Sequence, residues 1–326
     1  MLTEFELIKH CFNWPQNNDN IIFAVGDDAS IVKVPSGFDL VQSIDTQVAN
    51  VHFPATAPAQ LIAQRALRCA ISDLAAMGAK PQAFHLALSL PSNTSQNWLE
   101  SFSSGLRECA DEYDIALIGG DTTSSPTLVI TIQVQGLVAS GQALKRNTAQ
   151  VGDDIWLSGE VGKSAAALAT ILANPKNFIE NTTKSTVVES TKTKHTELAE
   201  AYYYPQAQIN LGQQLIGLAN SAMDISDGLL QDASHIAKAS AVCLNFNKNS
   251  IPVSDAAIQE HGHDAALEFA LTGGDDYQLL FTAPQSAQNA LHELACYKVG
   301  QVQSKNMHWV LINGQPFNKT AGYQHF

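Results

Sequence analysis

Three Gly-Asp-Asp triplets punctuate the sequence: Gly26-Asp27-Asp28 in FAVGDDASIV, Gly152-Asp153-Asp154 in AQVGDDIWLSG, and Gly274-Asp275-Asp276 in LTGGDDYQLLF. Paired carboxylates between apolar runs act either as turns or as ligands for positive charge. The middle triplet opens a strand-like run after a polar stretch and reads as turn chemistry; the outer two are candidates for a site. Asp73 sits in a helical pattern with Cys69, Ala70, Ala76 and Met77 three and four positions away, so no basic partner is within helical reach. A carboxylate on an apolar face is costly unless neutralised, which leaves a capping loop or a cation as its partner. Asp45 ends the strand-like run LVQSID, and strand ends are where α/β proteins usually meet ligands. Asp121 follows Gly119-Gly120 after a short apolar run. Such glycines let the backbone approach a phosphate, with a plain strand-to-loop turn as the alternative. Asp224, Ser226 and Asp227 precede a helical pattern, where Asp227 is either an N-cap or a ligand.

Two carboxylates about 4 Å apart repel by roughly 4 kcal/mol at an effective dielectric of 20. Four or more gather only around cations, and hard oxygen donors favour Mg²⁺. Mg²⁺ with glycine-rich approaches and few basic residues points to nucleoside triphosphate chemistry. Rival chemistries lack their residues. SGEVGKSAAA carries Leu157 where a P-loop needs glycine. The histidines form no H-E-x-x-H, no G-x-S-x-G is present, and no cysteine has the context of a nucleophile.

The elements that must hold these acids alternate. Residues 57–81 read as a helix, with Pro58 in its first turn and Gly78 and Pro81 at its end. Residues 95–113 read as a second helix, followed by the strands IALIGG and TLVITIQVQGLV. The turn-rich stretch 140–153 interrupts the pattern, which restarts with the strand DIWLSG, the helix GKSAAALATILA and a helix over PQAQINLGQQLIGLA. The grammar is α/β or α+β, with a domain boundary giving residues 1–140 and 141–326. Residues 175–197, rich in Thr, Lys and Ser, read as a mobile surface excursion.

Composition narrows the partners. A formal net charge of −13 disfavours nucleic acid and anionic membranes, while leaving metal-mediated phosphate binding open. No apolar run reaches membrane-span length, and the start MLTEFELIKHCFNW lacks the basic segment and apolar stretch of a signal peptide. Five cysteines without a C-x-x-C pair fit a reducing cytoplasm and act as small buried hydrophobes.

The motifs GDDAS, SIDTQVANVHF, SDLAAMGAKP, LIGGDTT, LKRNTAQVGD, DISDGL, TGGDDYQLLF and the terminal GYQHF occur in that order. Together they resemble bacterial thiamine-monophosphate kinases over nearly the whole chain. The wider superfamily includes aminoimidazole ribonucleotide and selenophosphate synthetases; VHF and GYQHF favour the thiamine enzymes. The resemblance implies a two-domain aminoimidazole ribonucleotide synthetase-like architecture, with an N-terminal ATP- and Mg²⁺-binding domain whose strands pair across a homodimer. It implies ATP-dependent phosphorylation of thiamine phosphate to thiamine diphosphate. By motif match, several Mg²⁺ ions fall to Asp28, Ser43, the backbone of Ile44, Asp45, Asp73, Asp121, Asp224 and Asp227. ATP falls to Gly120, Asp121, Arg146 and Ser226, and the substrate to His52 and Asp275. Taken alone, Arg146 reads as a solvated linker charge and His52 as a structural histidine. The chain departs from the family at three places. Asp275 stands where a Glu is usual, Gln278 replaces an acid, and Thr320 replaces an aromatic substrate contact for which Tyr323 stands in.

A phosphate monoester already carries a deprotonated oxygen at neutral pH, its second pKa being about 6. The expected reaction therefore needs no general base and no residue in a catalytic proton-transfer role, and it proceeds by direct in-line transfer from ATP. The alternatives are another ATP-dependent member of the superfamily or a non-catalytic protein that binds nucleotide and Mg²⁺.

Overall fold

The computed structural model describes residues 4–15, 18–173, 194–317 and 322. The chain divides into two compact units, one of Met1–Leu74 with Ala79–Gly141 and the other of Ala75–Gly78 with Gln142–Phe326.

In the first unit, α1 (Glu4–Cys11) and a short hairpin, β1 (Ile21–Phe23) and β2 (Ile31–Val32), precede the long strand β3 (Phe38–Val48). Then come α2 (Ala59–Ala76), β4 (Lys80–Leu90), α3 (Gln96–Glu112), β5 (Ala116–Ser124) and β6 (Val129–Ala139). The sheet order is β3-β6-β4-β5, with β4 and β5 parallel across α3 and the other pairs antiparallel. The Ser95 hydroxyl starts α3 by accepting the Trp98 N–H at 3.2 Å. Strand alternation sorts the sheet into two faces. Phe84, Leu86 and Leu88 register with Val134, Ile132 and Ile130 on a buried face, and Ser43, Asp45 and Gln47 share that face on β3. On α2, Ile62, Leu67, Ile71 and Leu74 are fully buried. Buried Arg68 ties α2 to α3 by pairing with Glu112 and donating to the Tyr113 hydroxyl at 3.0 Å.

The second unit is built on a seven-stranded mixed sheet. Its strands are β7 (Asp154–Leu157), β8 (Ser221–Asp224), β9 (Val242–Phe246), β10 (Leu279–Ala283), β11 (Tyr297–Ser304), β12 (Val310–Ile312) and β13 (Gln315–Pro316). Their order is β13-β12-β9-β11-β7-β10-β8. The helices are α4 (Lys163–Ala173), α5 (Lys194–Tyr203), α6 (Ile209–Gln214), α7 (Leu229–Ser240), α8 (Asp255–His261), α9 (His263–Thr272) and α10 (Gln288–Glu293). Strands β7, β8 and β10 are buried throughout, and Ile155, Leu157, Leu280, Leu229, Ile236 and Leu244 belong to one apolar core.

Several sequence expectations change. The helix expected over PQAQINLGQQLIGLA is only the six residues of α6. There a Cβ on Gly212 would lie 2.1 Å from the Ala75 carbonyl oxygen, and Gly217 has φ +80. Asp45 is not at a strand end, since β3 runs three residues further to Val48. Strand β5 likewise continues through Gly119-Gly120-Asp121 instead of stopping there. Residues 194–197 of the expected excursion begin α5, and 175–193 lie outside the described residues. The middle triplet is more than a turn. Asp153 is buried and accepts hydrogen bonds from the Gln150 N–H, Asn220 Nδ2 and Thr282 Oγ1, while fully buried Asp154 pairs with Lys298 at 2.8 Å.

Candidate active-site groups in the two units

The open face of the four-stranded sheet forms the floor of a cleft of about 1080 Å³ within the first unit. Its walls include Ile8 and Phe12 at one side and the loop Gly26-Asp27-Asp28-Ala29-Ser30 at another. Register fixes what the floor presents. Ile44, Gln133, His85 and Gly119 form one row across β3, β6, β4 and β5; Thr46, Thr131, Ala87 and Asp121 form the next row on the same face. Asp121 therefore points to the same space as Asp28, and both are exposed within it. Gly120 owes its identity to close approach, because a Cβ there would lie 1.9 Å from the Leu86 carbonyl oxygen.

Ser43 and Asp73 meet on the opposite face, where the Ser43 hydroxyl donates to Asp73 Oδ2. Asp45 shares that face by alternation, so the sheet separates Asp45 and Ser43 from the floor of the cleft. The backbone of Ile44 belongs to the strand between them, with its side chain 66% exposed on the cleft side. His52 is drawn into a turn, its Nδ1 accepting the Val48 N–H at 3.0 Å. That bond places the ring hydrogen of the neutral form on Nε2.

The second unit gathers Asp224, Ser226, Asp227 and Asp275 where β8 meets α7. Asp224 is buried at the end of β8. Asp227 precedes α7, whose N-cap is Gly228, so it is not the N-cap that its position suggests. The loop is held by a residue that sequence reasoning missed. A single oxygen of buried Asp232 accepts the N–H groups of Ser226, Asp227 and Gly228 at 3.1, 3.1 and 3.0 Å. Burial, then repulsion from Asp224 and Asp227, pushes the Asp232 carboxyl up to about 8. Its only sequence signal is an acid in the first turn of a helix. Donor atoms of Asp227, Asp232 and His235 lie within 4.8 Å of one another, the one such three-donor group found among the described residues. Burial and the positive charges of Arg146 and Lys238 lower the His235 pKa, which puts the exposed Arg146 in the electrostatic neighbourhood of this loop.

The third triplet splits in two. Asp275 has φ +68, donates its N–H to the Ser226 carbonyl at 2.9 Å, and receives the Tyr277 hydroxyl at 3.1 Å. Gly274 is needed beside it, since a Cβ would lie 2.3 Å from the Ser226 oxygen. Asp276 turns inward and accepts the Gly162 N–H at 2.7 Å and the Ser164 N–H at 3.5 Å. It thus satisfies the start of α4, the very Gly-Lys-Ser that mimics a P-loop. Burial pushes its carboxyl up to about 7 against the pull of those N–H groups. Gln278 accepts the Ser158 hydroxyl at 2.6 Å, a structural tie between β7 and the loop. Tyr323 and Thr320 lie outside the described residues.

The acids suit a hard divalent cation. Asp28, Asp121, Asp45 and Asp227 form no ion pair with a lysine or arginine among the described residues, and every donor is an oxygen. Among the described residues no lysine or arginine lines the cleft, so none of them compensates the negative charge of Asp28 and Asp121 there.

Comparison with known proteins agrees with this chemistry. The family model of AIR synthase related protein, N-terminal domain, matches residues 26–138. The chain is 36% identical to the thiamine-monophosphate kinase of Haemophilus influenzae, over 99% of this chain and 98% of that one. The crystal structure of thiamine-monophosphate kinase from Stenotrophomonas maltophilia is 39% identical, with a TM-score of 0.83 over 91% of this chain and 92% of that one. A structure of AaThiL complexed with AMPPCP and TMP is 27% identical, with a TM-score of 0.79 over 93% of this chain and 92% of that one.

Proposed function

The chain belongs to the thiamine-monophosphate kinase family, and from that premise we propose how its own residues carry the ATP-dependent phosphorylation of thiamine phosphate. The complex of AaThiL with AMPPCP and TMP supports ATP and thiamine phosphate as the two substrates. The structural observation that carries the reading is the cleft of the first unit, where Asp28 and Asp121 face one cavity with no lysine or arginine among its described lining residues. Such a surface repels a nucleotide unless a divalent cation accompanies it.

In the first unit Asp28 and Asp121 would hold Mg²⁺ on the cleft side of the sheet and Asp45, Asp73 and Ser43 on its other side, with the Ile44 carbonyl in the strand between them; Asp224 and Asp227 would do so in the second unit. When bound, Mg²⁺ relieves the repulsion between anionic phosphates and stabilises charge on the transferring group. The remaining work falls to the chain. Gly120 brings backbone close to the nucleotide, and Arg146 and Ser226 bind its phosphates. Asp275 attracts the cationic thiazolium of the acceptor, and His52 contacts the acceptor through its ring; Tyr323 joins it. No side chain takes a proton from the acceptor, whose phosphate oxygen is already ionised near neutrality. Transfer is direct, and trapping a phosphoenzyme on the reaction path would overturn it.

Residues 1–140 form the ATP- and Mg²⁺-binding domain and residues 141–326 the second domain. A second copy covers the free edge of the first unit's sheet. Strand β3 is the edge strand, and it leaves Phe38, Leu40 and Ile44 exposed at 45%, 38% and 66%. An edge of this kind invites pairing. Leu40→Glu is expected to shift the sedimentation coefficient from dimer to monomer. Five cysteines, all free and buried, favour a cytoplasmic location. No helix among the described residues is long and apolar enough to cross a membrane.

Incubating the protein with ATP, Mg²⁺ and thiamine phosphate tests the central reading. Thiamine diphosphate and ADP should appear in equal amounts; ADP without thiamine diphosphate overturns it.

A further inference from the structure

His85 holds no substrate or metal in the reading above, yet it stands on the cleft floor. It lies in the row Ile44-Gln133-His85-Gly119, one row from Asp121. Its hydrogen bonds run in one direction. Gln133 donates from Nε2 to the Val134 carbonyl at 2.9 Å, which orients its Oε1 toward His85 Nδ1, also at 2.9 Å. An amide oxygen can only accept, so Nδ1 carries the ring hydrogen and Nε2 is left as the acceptor of the neutral ring. Ser30 Oγ lies 3.3 Å from that Nε2 and donates to it.

Two backbone features make room for this arrangement. A Cβ on Gly119 would lie 3.0 Å from His85 Cδ2, so a larger residue there would press on the ring. The register between β4 and β5 shifts between Phe84 and His85, which brings Gly119 opposite the ring. Ser30 ends the loop that carries Asp27 and Asp28, and inside that loop Asp27 Oδ1 accepts the Asp28 N–H at 2.8 Å. The loop's Asp28 is exposed, so the Ser30–His85 bond is a link from a solvent-facing loop to the rigid sheet.

We propose that His85 is a positioning residue: through Ser30 it seats the Gly26–Ser30 loop over the cleft floor, so that Asp28 is held facing Asp121. The inference rests on the reading of this cleft as the site for nucleotide with Mg²⁺. His85 does not touch the reacting atoms and transfers no proton; its contribution is to the binding of nucleotide with its metal.

The two ring nitrogens can be deleted separately. In His85→Gln the terminal amide reaches the position of Nε2 and keeps the Ser30 contact. In His85→Asn the shorter amide reaches only the position of Nδ1 and keeps the Gln133 contact. His85→Asn and Ser30→Ala are each expected to raise the KM for ATP at saturating thiamine phosphate by about three- to tenfold, as loss of one hydrogen bond implies, with kcat nearly unchanged. His85→Gln should stay near the wild type. The double variant Ser30→Ala/His85→Asn should be no worse than either single change. A readout free of substrate accompanies this. Amide hydrogen exchange of residues 26–30 should quicken in His85→Asn and Ser30→Ala but not in His85→Gln. The ring ¹⁵N shifts of His85 should report hydrogen on Nδ1. Additive effects in the double variant, or impairment of His85→Gln with His85→Asn unaffected, overturn the proposal. Wild-type protein that makes no thiamine diphosphate overturns the functional reading instead, while the exchange measurement still decides the link.

Discussion

Asp28 and Asp276 each end a Gly-Asp-Asp triplet, and the fold uses them in opposite ways. Asp28 is exposed on a cleft with no lysine or arginine among its described lining residues. Asp276 is 7% exposed and serves the first N–H groups of α4. The lesson concerns where the compensating charge comes from. A carboxylate satisfied by its own backbone is part of the architecture, whereas one left facing a cavity is available to a ligand. Identical local sequence does not separate the two; the partner does.

Substitutions can break this contrast. The largest effect is expected from Asp121→Asn, which removes charge facing the cleft. It should lower kcat/KM by about a hundredfold or more, as loss of a group that stabilises the transition state typically does, while the denaturation midpoint stays put. Next comes Asp276→Ala, the reverse case. It leaves two N–H groups at the start of α4 without their acceptor and should cost about 2–3 kcal/mol of stability by denaturant titration. The same residue sharpens the contrast through pH. Burial pushes its carboxyl from the usual carboxylate range up to about 7, so the folded state binds its proton more tightly than the unfolded chain does. The Asp276 contribution is therefore full below pH about 4, falls as pH rises toward 7, and is flat above. Metal-free stability curves of wild type and Asp276→Asn should converge or cross along that window, and a constant difference would refute the assignment. Arg146→Ala is expected to raise the KM for ATP by about three- to tenfold, as loss of one charged contact implies. Asp275→Asn should have the smallest effect, a rise of about threefold in the KM for thiamine phosphate with that for ATP unchanged.

Much of this was legible in the sequence where local chemistry and fold agree. Helices α2 and α3 are marked by Pro58, Ser95 and Gly78, and the strand patterns of β5, β6 and β7 were readable from apolar runs. Asp73 stood out because no basic residue lies within helical reach of it, Asp28 because its triplet sits between apolar runs, and Asp121 because two glycines precede it. Other features depended on partners far along the chain. The burial of Asp153 comes from Asn220 and Thr282, and that of Asp276 from residues 162–164. Neither spacing is periodic, so no local pattern announces it. Helix α6 was overextended because the apolar pattern runs on past Gln214 to Gly217, whose φ of +80 no helix accommodates. The role of His85 needs the lateral order β6-β4-β5, which is a property of pairing and not of any one strand.

The three amide hydrogens that converge on Asp232 carry a consequence for anion recognition. Loops before helices commonly greet phosphate with their bare N–H groups. Here those of residues 226–228 are already engaged by an internal carboxylate. This segment therefore offers a naked polyphosphate no ready-made nest, and any anion that meets it has to be held by groups other than these three amides.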